Sequence, residues 1–541
     1  MKRLVLSLLL VALLFTSCAA PTATPTPTSV PTQLPAPTKA ATPTTPPPTA
    51  TPVVIKEPLI WYVRAAPQED LPKVNAALNE MLAKRGANYK VEARIIDRAA
   101  FNDKISLINS SNEPYDMVST TGAWFNVYGT NVNNEYFVPL TAYKNPKTGK
   151  TEDLLKEYAP KLWASMPASA WEAARIKGQI YAVINQQIWP KPFGISIRDD
   201  LVAALNLKSD IDALKKWEDL TPLMEKINKA IKDGSLKGKV KDAENIRGVF
   251  GQVDLLQPIN AGYDAIGPVS LVIKYDDKDM KISVWQETPE YKALAELRKK
   301  WQDAGYTTAE PLTADDAIKS YKAGQYVLDV GRLIKPGGYL EQASRFGYSW
   351  VEKPIAAVIL TTDGPTSTMT GVSSTSAKDP DRVHAIMQFM ELTRTDAEIY
   401  NLLAKGIEGT HWTWADKAKK IITLAKDSKY NPGIDWQFGD QFLAYYIDPA
   451  QAGVWEETRT LNATAKPSVA LGFVFDSKPV ATEVAAINAL SKEYLDPIAN
   501  GKAADVSAAI KKYLDAANAA GLPKVKAELQ KQLDAWKATK K

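Results

Sequence analysis

From residue 58 the chain spaces its apolar residues at two alternating periods. Pro58 to Arg64 (PLIWYVR) reads as a first strand. Leu71 to Lys84 sets Leu71, Val74, Leu78, Met81 and Leu82 on one face, the spacing of an amphipathic helix. Tyr89 to Ile96 alternates Val91, Ala93 and Ile95 with Lys90, Glu92 and Arg94, as a half-buried strand requires. Phe101 to Asn109 is predicted as a second helix and Tyr115 to Thr120 (YDMVST) as a short third strand. A β-α-β-α-β series predicts a parallel sheet with helices on its faces, wound right-handed. Such sheets bind ligands beyond the carboxyl ends of their strands. Here those ends are Arg64-Ala65-Ala66 and Thr120-Thr121-Gly122-Ala123-Trp124.

The middle of the chain continues in the same style. Tyr181 to Asn185 and Phe193 to Ile197 read as strands around Gln186-Gln187-Ile188-Trp189, and Arg198-Asp199-Asp200-Leu201 opens a helix. Leu214 to Lys232 is one longer helix or a pair. Tyr326 to Asp329 is predicted as a buried strand that ends in Val330-Gly331-Arg332. Gly371 to Ser376 leads into a helix from Pro380 to Thr393, and no internal repeat of fixed period is found.

The first 54 residues follow other rules. Met1-Lys2-Arg3 is a short cationic head, Leu4 to Phe15 a nearly unbroken apolar run, and Thr16-Ser17 leads to Cys18, the sole cysteine. That is the three-part build of an export signal. The run is shorter than the roughly 20 residues of a spanning helix. Its end resembles a lipobox, although Phe15 stands where leucine is usual, which implies that Cys18 is lipidated and becomes the first mature residue. Residues 21–52 hold eleven prolines and eleven threonines with one charge, Lys39. A tract of that composition cannot offset its ordering entropy, so residues 19–54 are expected to form a disordered tether.

Composition narrows the class. Net charge is +5 over 541 residues, with basic residues interleaved among acids rather than gathered into the stripe that nucleic-acid binding wants. With Cys18 lipidated, no thiol remains for a disulfide, a nucleophile or a metal. No phosphate-cradling glycine loop and no G-x-S-x-G elbow is present. His384 and His411 lack metal spacing and read as a polar-face and a loop residue. Asp276-Asp277-Lys278-Asp279 lacks the turn glycine and final glutamate of a calcium loop and reads as a solvated hairpin turn. Paired carboxylates for glycoside hydrolysis are not excluded by 61 acidic residues.

Several phrases, taken in order, resemble the extracellular solute-binding proteins of ABC importers, family 1, the maltose-binding-protein type. They are YDMVST, YAVINQQIWPKPFGISIRDDLVAALNL, AIKSYKAGQYVLDVG and MTGVSSTSAKDPDRVHAIMQFMELT. The phrases LLAKGIEGTHW, NPGIDWQFGDQFLAYY and AGLPKVKAELQKQLDAW are similar to a lipoprotein subgroup with an extra C-terminal domain of unknown function. The resemblance implies a two-lobed α/β fold of the periplasmic-binding type II, with parallel-type sheets flanked by helices and joined by a hinge. It implies lobe 1 over 55–190, lobe 2 over 191–360, a return to lobe 1 over 361–400, and completion of lobe 2 with a helical extension over 401–541. It further implies a monomeric binding protein rather than an enzyme, with no cofactor, no metal and no nucleic acid. Such a protein would sit outside the cell membrane, held by lipidated Cys18 alone, and deliver a ligand to ABC permease subunits.

An oligosaccharide is the expected ligand. The chain has 14 tryptophans and 22 tyrosines against 12 phenylalanines, and those rings pair a flat apolar face with a polar edge. Trp124 leads the candidates, with Thr120, Thr121 and Asn126 beside it and Arg64 at the neighbouring strand end. Gln187 and Trp189 come from the crossover between lobes, and Asp329 and Arg332 from the end of the second lobe's strand. Trp436 lies in the added region. A packing or salt-bridge role competes at each position. Peptides or other polar solutes are the alternative ligands, and a surface glycan hydrolase or an adhesion lipoprotein the alternative classes.

Overall fold

The expected opening series is present. Strand β1 (Leu59–Arg64), helix α1 (Leu71–Lys84), β2 (Val91–Ile96), α2 (Phe101–Ser110) and β3 (Met117–Thr120) follow in order, with β1 parallel to both β2 and β3. Helix α1 buries Val74, Leu78 and Leu82. The computed structural model describes residues 54–307 and 314–540; the leader, Cys18 and the proline–threonine tract lie outside the described residues.

The chain reaches β4 (Ala182–Ile184) in the first sheet, then passes at once to β5 (Phe193–Arg198) in a second. The second sheet is completed by β6 (Gly248–Val253), β7 (Tyr326–Leu333) and β8 (Trp350–Pro354), in the order β6-β7-β5-β8. A connecting segment containing β9 (Ile359–Leu360) returns to β10 (Met369–Val372), so the first sheet runs β2-β1-β3-β10-β4. Neither sheet is wholly parallel. Strand β10 is antiparallel to β3 and β4, and β5 is antiparallel to β7 and β8. The first strand after each of these crossings, β5 and β10, runs against its neighbours, whereas β4 and β8, which end at crossings, keep the direction of β3 and β7.

Two expectations need correction. Strand β7 does not stop at Asp329 but continues to Leu333, still paired with β5. Gly331, at φ +75°, absorbs an irregularity in the ladder, and a Cβ there would lie 2.5 Å from the Asp254 carbonyl oxygen. The second correction concerns boundaries. Residues after 400 do not turn to the second lobe: Tyr400, Tyr430, Ile434 and Phe438 stay in the first core. The Trp61 ring meets Phe389 at 5.7 Å and Phe438 at 5.8 Å, edge to face. The final crossing comes at β11 (Lys466–Pro467), which pairs in parallel with β9.

Beyond it, the C-terminal residues close a separate apolar cluster against a hairpin of the second lobe. Leu271 and Ile273 meet Phe473, Tyr513, Val525, Leu529 and Leu533 there. The extension is therefore packed onto lobe 2. Asp276 to Asp279 lie at the tip of the same hairpin, between strands Leu271–Lys274 and Ser283–Val284.

Asp116 ties the first lobe together. It is buried, and its carboxylate accepts from the Ile60 amide (2.7 Å), the Ser376 hydroxyl (2.7 Å) and the Arg382 guanidinium (2.5 and 2.6 Å). One side chain thus joins β1, β3, the returning segment and the helix Pro380–Thr395. Removing the cation would leave a buried, uncompensated charge. Arg382→Met is expected to lower unfolding free energy by about 3–5 kcal/mol in urea titration.

Candidate functional site

The loop after β3 is built to push one ring outward. Thr121 Oγ accepts from the Trp124 and Phe125 amides (3.1 and 2.9 Å) and donates to the Phe125 carbonyl (2.7 Å). Thr120 donates its hydroxyl to the Asn126 carbonyl. Asn126, at φ +41°, donates its side-chain amide to the Ser119 carbonyl (2.9 Å). Phe125 takes the inward position against Phe101, and Trp124 is left 49% exposed. Gly122 approaches the hinge so closely that a Cβ would sit 2.4 Å from Thr366 Oγ.

Three of the other expected residues, Trp436, Arg64 and Gln187, gather around Trp124. Its indole N–H donates to the Ser367 carbonyl (2.9 Å), and its ring lies 5.5 Å from that of Trp436, tilted by 42°. The Arg64 guanidinium stands 5.5 Å from the Trp124 centroid and 5.0 Å from Phe125. Burial, and then the charge of Arg98, lower its pKa, with Asp97 opposing. Gln187 donates to Ser367 Oγ (3.2 Å) and Thr368 Oγ (2.7 Å), while Thr368 donates to the Trp436 carbonyl (3.0 Å). Gln437 holds the Arg64 carbonyl at 2.9 Å. The result is a pair of indoles edged by a guanidinium, amides and hydroxyls, which suits a ring with one apolar face and hydroxyls at its rim.

The other expected residues are placed differently. Thr120 and Thr121 are fully buried, and together with Asn126 they spend their hydrogen bonds on the loop itself. Trp189 is buried in the first core, so its ring is packing. Asp329 and Arg332 stand in a polar cluster of lobe 2. Arg332 lies 3.6 Å from both Asp329 and Glu352, and 3.2 Å from the Gln342 amide oxygen. Burial raises Asp329 to about 6 and Glu352 to about 7, with Arg332 opposing both. Half-exposed Tyr339 follows at the carboxyl end of β7. Ser367, Thr368 and Gln437 were not distinguished by pattern or spacing; their roles arise from where the hinge and the loop after residue 430 pass.

The histidines are held by structural partners. His384 stacks on Tyr158 at 3.7 Å and meets Glu152 at 2.8 Å. Buried His411 accepts from the Ile407 amide (2.8 Å) and faces Asp70 (3.2 Å). Asp435, next to Trp436, is ion-paired with Lys405.

On the other side of the Gly122–Ala123 turn lies a cavity of about 330 Å³ between the lobes. The turn, the hinge at Thr362–Thr366, the lobe 2 segment 264–268 and C-terminal residues 473–475 line it.

Solved structures share this fold. The N-glycan transport solute binding protein (NgtS) from Streptococcus pneumoniae superposes with a TM-score of 0.74 at 20% identity, over 90% of this chain and 100% of that one. The fold is that of a solute-binding protein. The same protein in complex with Man5GlcNAc gives 0.65 at 20% identity over 90% and 100% of the two chains. An extracellular solute-binding protein from Bifidobacterium longum subsp. infantis gives 0.57 at 14% over 89% and 99%. In sequence, a carbohydrate ABC transporter substrate-binding protein of S. pneumoniae serotype 4 is 23% identical over 436 residues, 80% of this chain and 81% of that protein. Residues 469–538 match a domain of unknown function, DUF3502. In this solute-binding fold that domain supplies part of the cavity wall.

The two tryptophans should separate by mutation. Trp189→Ala, which empties a buried site, is expected to cost about 3–5 kcal/mol of stability. Trp124→Ala, at a half-exposed ring, should leave the thermal midpoint nearly unchanged.

Proposed function

We propose that this protein captures an oligosaccharide between its lobes and delivers it to the permease of an ABC importer. The carrying observation is the Trp124–Trp436 pair, 5.5 Å apart and edged by Arg64 and Gln187, at the strand ends of lobe 1. The two tilted indoles offer apolar faces to a sugar ring, and the guanidinium and amide read its hydroxyls. The residues argued to bind are Trp124, Trp436, Arg64 and Gln187, with Arg332 of lobe 2 available to the far side of the ligand. The protein acts as a monomer and without catalysis. Its relatives named for carbohydrate and N-glycan transport support this reading. Lipidated Cys18 would hold the domain outside the membrane through the proline–threonine tract.

Titration calorimetry with Man5GlcNAc tests the reading. Binding is expected, with Trp124→Ala losing about 1 kcal/mol or more, the scale of an aromatic contact. Release of free sugar from the glycan would instead mark a hydrolase. Cys18→Ser is expected to move the protein from the membrane fraction to the medium; retention in the membrane would refute the lipid anchor.

A further inference from the structure

Asp264 is a buried carboxylate that the protein leaves partly unanswered. It is 5% exposed, lines the interlobe cavity, and its Oδ2 has no hydrogen-bond partner. Burial pushes it up to about 6, against a hydrogen bond from Ser468; the charge of Asp363 raises it further and Lys191 opposes. Asp363 is ion-paired with Lys191 through Oδ2, while its buried Oδ1 also lacks a partner, so the lining presents two carboxylate oxygens in need of a donor, with Asp264 the one that has no paired cation. A carboxylate withdrawn from water without donors is costly, so a ligand that supplies them gains what water would have given.

The rest of the lining is suited to a ring. Phe473, Val474 and Phe475 of the C-terminal domain line the cavity together with Tyr128 and Ile266, and its volume is at the lower end of small-molecule sites, about 300–1,000 Å³. The cavity also adjoins the tryptophan pair along two segments. Ala123 lines the cavity and the next residue, Trp124, forms the pair; Thr366 lines the cavity and the next residue, Ser367, holds the indole. Consecutive Cα atoms are about 3.8 Å apart, so the two sites abut.

We propose that the cavity is a second sugar subsite, in which a residue of a longer oligosaccharide lays its apolar face on the Phe473–Phe475 wall and donates hydroxyl hydrogens to Asp264. The C-terminal domain then contributes to ligand length selection, because it supplies that wall. This subsite rests on the carbohydrate reading above.

Calorimetry on the full-length protein in detergent distinguishes the two claims. With Man1GlcNAc and Man5GlcNAc as probes, Asp264→Asn is expected to weaken the longer glycan about tenfold or more, the loss of a hydrogen bond to a charged group, while the shorter changes less than about twofold. An equal effect on both glycans, or none on either, overturns the subsite and leaves the carbohydrate reading standing. Failure of both glycans to bind the wild type overturns both. Should the variant fail to fold, hydrogen exchange on the wild type decides: Man5GlcNAc must protect amides of 264–268 and 473–477, and Man1GlcNAc must not. Unchanged exchange there with Man5GlcNAc bound rules the subsite out.

Discussion

Everything at the site depends on how three crossing segments are bonded to one another. The chain passes between lobes near 185–192, 355–368 and 465–469. The Asn185 amide donates to the Thr368 carbonyl, and Gln187 to Ser367 and Thr368, which joins the first crossing to the second. The second and third pair as β9 and β11, extended by the Ser468 amide to the Leu360 carbonyl. Asn462 closes the set, accepting from the Trp189 amide and donating to the Gln187 carbonyl. Three linked segments restrict relative motion of the lobes to bending about the bundle, since sliding would break several of these bonds at once.

That constraint explains the placement of the binding groups. Ser367 and Thr368 serve the hinge and the site together: the same residues that accept from Gln187 hold the Trp124 indole and the Trp436 backbone. On the proposed reading, ligand contact at the tryptophans would be made next to the axis of motion. A ligand shifts the lobes toward closure only by as much as it prefers the closed form. On the same reading, contacts near the axis would orient the ligand, and contacts from lobe 2 would supply the preference.

The first lobe was legible because its signals are local. The alternation of Val91 and Ala93, the 3–4 spacing of Val74, Leu78 and Leu82, and the glycine after β3 each state an element or its end within a few residues. Trp124 was readable for the same reason, as a ring beyond a strand end. Thr120 and Thr121 have the right chemistry at the right address, yet their hydroxyls are consumed by the turn that presents Trp124. Trp189 was a candidate from the crossover, ranked behind Trp124, and the packing of the first core takes its ring out of the site. The long stay of residues 401–464 in lobe 1 was invisible, because it depends on contacts such as Trp61–Phe438 between positions far apart in the chain. Asp264 carried no sequence signal, since its burial is set by the hinge and the C-terminal domain.

A glycan held at the tryptophan pair is expected to draw the two lobes together about the bonded hinge. Small-angle scattering of the full-length protein in contrast-matched detergent, with and without saturating Man5GlcNAc, measures this directly. The radius of gyration is expected to fall when ligand is added. Saturated binding with an unchanged radius of gyration would contradict it.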